Sequence, residues 1–435
     1  MINRWNDEDA REYLFRFANR MAEADDGLLL LAYATALLGA ENDLTMHGGG
    51  NTSIKKIIVG GNGEEKRALF VKASGTPLNT FTPEYFVAMD LDFLEGMRDV
   101  GGIDDETMSR EFKAHQLIQS GRLPSIESLM HAFIPAKFVV HTHPAAILKI
   151  ANREGGEGLL KKCFGDGLAV VPYAKMGYDL AMAVSEAARQ LSGCRGVAMA
   201  HHGLITWGGS AREAYDTSID IITAAENFLK QIFVRPITLG LKVSEDTSVR
   251  NYELIAPIIK ECLAQASKNI DGVGLSNEKI SLALLNTPDV MELINSPDGK
   301  KIITDPPMTP DYPMLTRILP LWLDVDINND KEKIFPSVKS AIGKYVSGYK
   351  AYLGGNGIQD ITAAAALPVA IVHPPTGVVC VGASEAKARQ IVDFTCQAFS
   401  IRRAIAETGG VYKSLPERYL FDMQYRGYQK NKKDM

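Results

Sequence analysis

Two histidines lie two residues apart in an apolar run, and this spacing is the most informative chemical feature of the sequence. His141 and His143 belong to KFVVHTHP, a β-branched run typical of a buried strand. Side chains two apart on a strand point to the same face, so the two imidazoles are placed to share a metal ion. The alternative is that one histidine lies at a core edge and the other is incidental, and the motif alone leaves both open.

A second pair of histidines, His201 and His202, ends another predicted strand and precedes Gly203. Neighbouring residues on a strand face opposite sides, so only one of this pair can join the first two imidazoles. His202, at the turn, is the better candidate. Taken by itself, such a pair is more often structural than functional.

A carboxylate accompanies these histidines. The segment PSIESLMHAFIP predicts a short helix between two prolines, with Glu127 four residues before His131. Residues four apart share a helix face, so either could approach a metal, while an exposed pair without function is the alternative. Three imidazoles and one carboxylate suit zinc, which would polarise the carbonyl of a hydroxyketone and stabilise an enediolate. With Glu127 as the base, this is the chemistry of a retro-aldol cleavage.

A glycine loop, HGGGNTS, and the strand end ASGT predict an anion site. Small residues let backbone N–H groups converge on an anion, and Asn51, Ser74 and Thr76 add side-chain donors. Lys55 could add charge. Turns use glycine freely, so the loop alone is weak support. The sequence contains no G-x-S-x-G, G-x-G-x-x-G, Walker or HExxH motif, which leaves the histidines and this loop as the candidate chemistry.

The elements that must position these residues alternate between strands and helices, which predicts an α/β fold with αβα layers. Residues 83–100, 107–120, 252–267 and 277–285 are predicted to be helical. A polar, proline-containing stretch at 235–250 predicts a boundary between two domains. The first, residues 1–240, would carry the metal site, and the second, residues 241–435, would be another α/β domain.

A weak internal similarity suggests that the second domain is a degenerate repeat of the first. GLITWGGSAREA resembles GVVCVGASEAKA, which places Thr376 where His202 stands. A looser alignment places Asp326 and Asn328 where His141 and His143 stand, so the repeat would lack the metal site. Chance similarity between generic strand–turn–helix patterns is the alternative.

Composition narrows the class of protein. The net charge of −5 argues against a nucleic-acid surface and gives no reason to expect membrane attraction. Five scattered cysteines without a CxxC pair fit a reducing compartment, and the acidic N-terminal stretch does not look like a signal peptide. We therefore expect a cytoplasmic protein without a membrane span, whose partner is a small molecule.

Five motifs in order, GGGNTS, VKASGTP, PSIE with its downstream histidine, HTH and HHGLITWG, resemble the class II aldolase/adducin family over roughly residues 25–235. The resemblance implies a central, mainly antiparallel sheet flanked by helices, and a homo-oligomer that in the family is usually a tetramer. It implies Zn²⁺ or another divalent transition metal bound by His141, His143 and His202, with Glu127 as the fourth ligand or the base. It also implies a substrate phosphate held by Asn51, Ser74, Gly75 and Ser125.

Two features depart from the family pattern. Ile126 stands where the family's aldolases tend to have a second serine, which puts one phosphate contact in doubt. The tyrosine that protonates the leaving group in fuculose-phosphate aldolases has no aligned counterpart, and Tyr173 and Tyr178 are candidates by proximity only.

The resemblance also bears on the reaction. Through MTPDYPMLTRILPLWLD and LFDMQY, the whole chain is similar to the aldolase half of bifunctional rhamnulose-1-phosphate aldolase/lactaldehyde dehydrogenase proteins. It lacks their dinucleotide-binding domain, so no nicotinamide chemistry is expected. The implied activity is an aldehyde-lyase that cleaves a phosphorylated ketose, such as rhamnulose- or fuculose-1-phosphate, to dihydroxyacetone phosphate and an aldehyde. The alternatives are a sugar-phosphate 4-epimerase or dehydratase at the same metal site, or an adducin-like scaffold without catalysis.

Overall fold

The chain forms two compact units, Met1–Phe233 and Val234–Met435. The computed structural model describes residues 1–59, 63–191, 193–238, 240, 243–271, 277–305, 309, 312, 316–328, 331–358 and 366–422. Parts of MTPDYPMLTRILPLWLD and LFDMQY lie outside these ranges. The domain boundary that the sequence predicts at residue 240 stays a prediction.

The first unit contains both helices and strands in alternation. Its helices are α1 (Asp7–Phe17), α2 (Asp26–Gly39), α3 (Leu91–Gly96), α4 (Asp105–Ala114), α5 (Ser128–Phe133), α6 (Ala145–Ala151), α7 (Gly156–Phe164), α8 (Tyr178–Gln190) and α9 (Ala211–Gln231). Its strands are β1 (Asn51–Val59), β2 (Glu65–Lys72), β3 (Phe86–Asp90), β4 (Phe138–Thr142), β5 (Ala169–Val171), β6 (Gly196–Met199) and β7 (Gly203–Gly208).

These strands form one sheet in the order β3-β2-β1-β4-β7-β6-β5. The neighbouring pairs are antiparallel, apart from the parallel pair β5–β6. The register places Asn51 of β1 directly opposite His141 of β4. The fold therefore brings the start of the glycine-loop strand beside the first metal-ligand candidate.

Both faces of this sheet are covered, which gives the predicted αβα layers. Phe138 and Val140 of β4 belong to one core cluster, with residues of α2, α6 and α9. Val139 belongs to the opposite cluster, with residues of α3, α5 and α8. This alternation explains the almost continuous apolar sequence of β4, because both faces of the strand are buried.

Two predicted helices are wrong, and both errors have the same cause. Phe86–Asp90 is a strand inside the predicted helix 83–100, and the predicted helix 277–285 contains a strand instead. Short apolar runs fit either period, so sequence periodicity does not distinguish a short buried strand from a helix. Pairing with a neighbouring strand decides each case.

The second unit contains a smaller sheet flanked by helices. Its helices are α10 (Glu245–Asp271), α11 (Pro288–Ile294), α12 (Gly299–Ile303), α13 (Lys331–Gly355) and α14 (Glu385–Glu407). Its strands are β8 (Ser281–Leu285), β9 (Leu321–Trp322), β10 (Ala370–His373) and β11 (Gly377–Gly382), in the order β8-β11-β10-β9. The pair β9–β10 is parallel and the other two pairs are antiparallel.

The connections of the second unit repeat those of β4 to α9 in the first. Among the described elements of both, a strand leads through two short helices to a second strand, a crossover helix, a hairpin and a long helix. Each long helix begins after a serine N-cap, Ser210 or Ser384. These matching connections support the predicted repeat.

The topology changes the alignment of the two halves. Strand β9 corresponds to β5, because each is the strand paired in parallel at the sheet edge. Strand β8 corresponds to β4, and Leu284 faces Val379 as His141 faces Ile205. The placement of Asp326 and Asn328 against the HTH motif is therefore wrong, and Leu284 and Asn286 occupy those positions.

Among the described helices, none is both long enough and apolar enough to cross a membrane.

The close packing of β7 against β4 yields a stability prediction. A Cβ added at Gly203 would lie 2.3 Å from the Thr142 carbonyl oxygen and 3.0 Å from the His143 Cα. We expect Gly203→Ala to destabilise the protein by about 1–3 kcal/mol through overpacking, measured as a lower urea midpoint.

The control for this change is Gly158→Ala in α7. A Cβ at Gly158 would meet no atom within 4 Å, so alanine should stabilise the helix by about 0.5–1 kcal/mol. Equal midpoints for Gly203→Ala and the unmodified protein would contradict the packing argument.

Candidate functional site

Three imidazoles converge in the first unit, as the sequence predicted. His141, His143 and His202 place their candidate ligand atoms within 4.8 Å of one another. The Nε2 atom of His141 lies 3.0 Å from Nε2 of His143 and 3.2 Å from Nε2 of His202. His141 and His202 are buried, whereas His143 is half-buried and faces the more open side.

The sheet produces this convergence through strand alternation and one tight turn. His141 lies on β4, and His143 follows the end of that strand on the same face. His202 lies in the turn between β6 and β7, next to β4. His201 has a φ of 56°, and its N–H donates to the Asn152 side chain, so it stands apart from the cluster.

Glu127 joins the three histidines from a different element. It occupies the N-cap position of α5, and its Oε1 lies 2.7 Å from Nε2 of His202 and 3.5 Å from Nε2 of His141. This oxygen is buried and makes no hydrogen bond of good geometry with a described residue. Oε1 lies close to the imidazole nitrogens without the geometry of a hydrogen bond, as expected for atoms that share a cation.

The residues fit a divalent metal of the zinc class. A tetrahedral ion held at about 2.0–2.1 Å would separate two ligating nitrogens by roughly 3.3 Å. The two Nε2 separations around His141 are close to this value. Nδ1 of His141 donates to the Leu204 carbonyl oxygen at 2.9 Å, so the lone pair of this ring lies on Nε2, towards the cluster.

Burial and mutual charge set the protonation of these groups. Burial raises the pKa of Glu127, but the imidazoles of His141 and His202 outweigh it and hold the pKa well below its ordinary value. Burial also lowers the pKa of His202, despite the opposing influence of Glu127. The arrangement thus favours an ionised Glu127 beside a neutral His202, the forms in which these two groups bind metal.

His131 does not approach the metal-ligand candidates, contrary to one option left by the sequence. Its Nε2 contacts Oδ1 of Asn51, and its Nδ1 lies 2.8 Å from Oγ of Ser53. Burial lowers the pKa of His131 to about 3, so the ring is neutral. His131 therefore belongs to the surroundings of Glu127 through Asn51.

The predicted anion-binding residues occupy three neighbouring loops. Nδ2 of Asn51 lies 2.9 Å from Oγ of Ser125, and the Ser74 N–H donates to the Leu123 carbonyl oxygen beside Ser125. Ser74 and Gly75 are exposed, and no atom lies within 4 Å of where a Cβ on Gly75 would stand. The chain thus leaves open space at Ser74 and Gly75, after the end of β2.

Lys72 is a site residue that the sequence analysis missed. Its buried Nζ donates to the carbonyl oxygens of Gly48 and Thr76, at 3.1 and 2.9 Å, and so joins the two glycine-containing loops. Lys55, the predicted cation, instead donates to carbonyl oxygens at the end of α5. The signal for Lys72 in the sequence was its position as a lysine at the end of the apolar run of β2, directly before ASGT.

Of the two tyrosine candidates, Tyr178 binds elsewhere in the first unit through its hydroxyl. The Tyr178 hydroxyl donates to the Arg98 carbonyl oxygen at 2.8 Å. Tyr173 is half-buried in the segment between β5 and α8. The proton donor for a leaving group stays unassigned.

Two family models match the chain. The Class II Aldolase and Adducin N-terminal domain matches residues 30–229, and the Aldolase class II, second domain matches residues 250–432. The first match contains every predicted site residue. The second covers the unit that includes the sheet β8-β11-β10-β9.

Several known proteins are similar to parts of the chain. The N-terminal class II aldolase domain of a conserved Thermoplasma acidophilum protein is 33% identical, covering 53% of this chain and 99% of that one, with a TM-score of 0.46. An L-fuculose-1-phosphate aldolase from Thermus thermophilus is 20% identical, covering 46% of this chain and 94% of that one, with a TM-score of 0.31.

A longer curated relative matches most of the sequence. The uncharacterized oxidoreductase YuxG of Bacillus subtilis strain 168 is 28% identical over 410 residues, which is 94% of this chain. The chain spans 58% of the length of that relative.

The convergent imidazoles yield a metal-binding prediction. We expect one divalent ion per chain by elemental analysis of purified protein. The positions in the second unit that correspond to His141, His143 and His202 hold Leu284, Asn286 and Thr376, which do not form an equivalent set of ligands.

Removing one imidazole tests which residues hold the ion. His143→Ala should abolish stoichiometric metal binding, because it removes one of the three imidazoles that would hold the ion. His115→Ala, at a histidine stacked on Phe93 away from the cluster, is the matched control and should keep the ion. Full metal content in His143→Ala would exclude this site.

Proposed function

Because the chain belongs to the class II aldolase and adducin family, we propose that it is a metal-dependent aldolase acting on a small phosphorylated ketose. The reaction would cleave the sugar to dihydroxyacetone phosphate and an aldehyde. The observation that supports this most is the meeting of three imidazole nitrogens and the Glu127 carboxylate.

His141, His143 and His202 would hold the metal, with Glu127 as a fourth ligand or as the base. A divalent ion of the zinc class supplies positive charge that polarises a carbonyl and acidifies the neighbouring proton. Strand β4 and the hydrogen bond from His141 to Leu204 orient the imidazoles for this role. This hydrogen bond fixes the His141 ring, whose Nε2 lies close to Nε2 of both other histidines.

Glu127 is the carboxylate placed to act as the base. The imidazoles of His141 and His202 hold its pKa well below the ordinary value, which favours the ionised form that can accept a proton, and the side chain is buried. Asn51 donates to Oε2 at 2.6 Å, so Oε1 is the oxygen directed to the histidines. Glu127 would accept the proton that the sugar hydroxyl loses as the carbon–carbon bond breaks, and would return it to the product.

The phosphate of the substrate would lie against the three loops that carry Asn51, Ser74, Gly75 and Ser125. The Ser125 oxygen accepts hydrogen bonds from Nδ2 of Asn51 and, at 3.3 Å, from the Glu127 N–H. Its own proton is therefore directed to a further acceptor. Lys72 places a positive charge at the base of these loops.

The remaining parts of the proposal concern organisation. Residues 1–240 would form the catalytic domain, and residues 241–435 a degenerate repeat without a metal site. We propose a cytoplasmic homo-oligomer, with a tetramer as the expected assembly. The alternative functions use the same site: a 4-epimerase or a dehydratase would act on a sugar phosphate without releasing dihydroxyacetone phosphate.

The reaction can be tested by incubating metal-loaded protein with rhamnulose-1-phosphate and, separately, with fuculose-1-phosphate. We expect dihydroxyacetone phosphate from at least one sugar, detected with a coupled dehydrogenase. An epimer or a dehydrated product instead would favour the alternatives. Metal-loaded protein that changes neither sugar would count against the aldolase.

The proposed base is tested by Glu127→Gln. This change keeps the size of the side chain and an acceptor for Asn51, so fold and metal content should persist. Turnover should fall by about 10²–10⁴-fold, the usual contribution of a general base. Glu157→Gln, at an exposed carboxylate of α7, is the control. Full activity in Glu127→Gln would remove Glu127 as the base.

The anion pocket is tested by Ser74→Ala. Ser74 is exposed, so its loss should leave the fold unchanged. Losing one hydrogen bond to a charged phosphate costs about 1.5–3 kcal/mol, so KM should rise roughly ten- to hundredfold. Thr80→Ala removes an exposed hydroxyl a few residues further along the chain and is the control, with an unchanged KM. If KM in Ser74→Ala also stays unchanged, the phosphate binds elsewhere.

A further inference from the structure

We infer that His131 is a positioning residue, which fixes the Glu127 carboxylate through a buried chain of hydrogen bonds from Ser53 through His131 and Asn51. This inference rests on the proposed metal site, because it assigns a role towards that site. The chain consists of contacts between Ser53 and His131, His131 and Asn51, and Asn51 and Glu127.

The direction of every hydrogen bond in the chain follows from its last member. Nδ2 of Asn51 lies 2.6 Å from Oε2 of Glu127, so the NH₂ group of Asn51 donates to a carboxylate oxygen. The same NH₂ group also faces Ser125, so Oδ1 of Asn51 is turned to His131. Because an amide oxygen only accepts hydrogen bonds, Nε2 of His131 must carry the proton in this contact.

The tautomer of His131 then fixes the first hydrogen bond. A neutral imidazole with its proton on Nε2 has a lone pair on Nδ1. The hydroxyl of Ser53 therefore donates to Nδ1 across 2.8 Å. All three hydrogen bonds point in one direction, towards Glu127, and each donor reinforces the next.

Burial makes this chain rigid. Ser53 and His131 are 0% exposed, Asn51 is 3% exposed and Glu127 is 6% exposed. Water cannot replace a missing partner in such a place, so reversing the Asn51 amide would set its oxygen against a carboxylate oxygen. Without the His131 donor, Oδ1 of Asn51 would lose its partner in a buried place, and the amide that holds Oε2 of Glu127 would be fixed less firmly.

The sheet explains why these residues meet. Asn51 and Ser53 are two apart on β1, so both face the side covered by α5. His131 lies on α5, and Glu127 caps the start of that helix. A single imidazole therefore spans the two β1 side chains and links the strand to the helix that carries the carboxylate.

The experiment compares three forms of the full-length protein: unmodified, His131→Leu and His131→Gln. Glutamine keeps one donor and one acceptor, whereas leucine has neither. The primary readout is the affinity for Zn²⁺ alone, measured by calorimetric titration of metal-free protein. Residues that orient a metal ligand usually contribute about 10- to 100-fold to affinity or activity.

We expect His131→Leu to bind Zn²⁺ at least about tenfold more weakly, and His131→Gln to recover to within about threefold of the unmodified protein. The urea midpoint of each variant reports folding separately. Equal affinity in all three forms would overturn the inference, as would equal weakening by glutamine and leucine, because a purely structural role does not distinguish hydrogen-bonding capacity.

A second readout keeps the test independent of any substrate and of folding losses in the variants. Nitrogen NMR of histidine-labelled, unmodified protein reports which ring nitrogen carries the proton, and the His131→Gln spectrum identifies the His131 signals. We expect a neutral ring protonated on Nε2. A proton on Nδ1 would reverse the chain and overturn the inference.

These readouts separate the two proposals. If neither sugar phosphate is cleaved, the proposed reaction fails while the Zn²⁺ affinities and the tautomer still decide the role of His131. If the unmodified protein binds no Zn²⁺, the metal site fails, and the inference fails with it.

Discussion

Four acceptor atoms directed at one small, buried space are the constraint on which the rest of the structure depends. Three imidazole nitrogens and one carboxylate oxygen repel each other unless a proton or a cation lies between them. Such an arrangement has to be held by its surroundings. Strand β4, the turn between β6 and β7, and the start of α5 each supply part of this support.

The packing around the histidines shows how closely that support is built. Gly50 adopts a φ of 70°, and a Cβ there would lie 2.9 Å from the His141 carbonyl oxygen. A Cβ on Gly203 would lie 2.3 Å from the Thr142 carbonyl oxygen, at the end of the strand that leads to His143. Glycine at both positions lets the neighbouring backbone segments approach β4. Gly50, in HGGGN, therefore packs against the strand that carries His141 in addition to forming part of the predicted anion loop.

Asn51 connects the two halves of the proposed chemistry. It pairs with His141 across the sheet, donates to Glu127 and contacts Ser125 of the anion loops. A phosphate bound near Ser125 would therefore compete for, or reorganise, the same amide that holds Glu127. In the proposed site, binding of the anion and the direction of the base would therefore not be independent.

The second unit has the connections of the first without its metal ligands. The Thr376 carbonyl oxygen accepts from the Ser248 hydroxyl at 2.5 Å, and Asn286 donates to the same hydroxyl at 3.0 Å. Thr376 and Asn286, which stand at the positions equivalent to His202 and His143, thus both contact the Ser248 hydroxyl.

The sequence by itself predicted that three imidazoles converge, because strand alternation places His141 and His143 on one face and the turn favours His202 over His201. It also determined the layered α/β class and the family. It did not determine that 86–90 and 281–285 are strands, since short apolar runs fit two periods and only pairing with neighbours selects one. Nor did it reveal the roles of Lys72 and His131, because a buried lysine and a buried histidine acquire partners only when β1, β2 and α5 come together. Those contacts join residues far apart in the chain, and tertiary structure alone brings them within hydrogen-bonding distance.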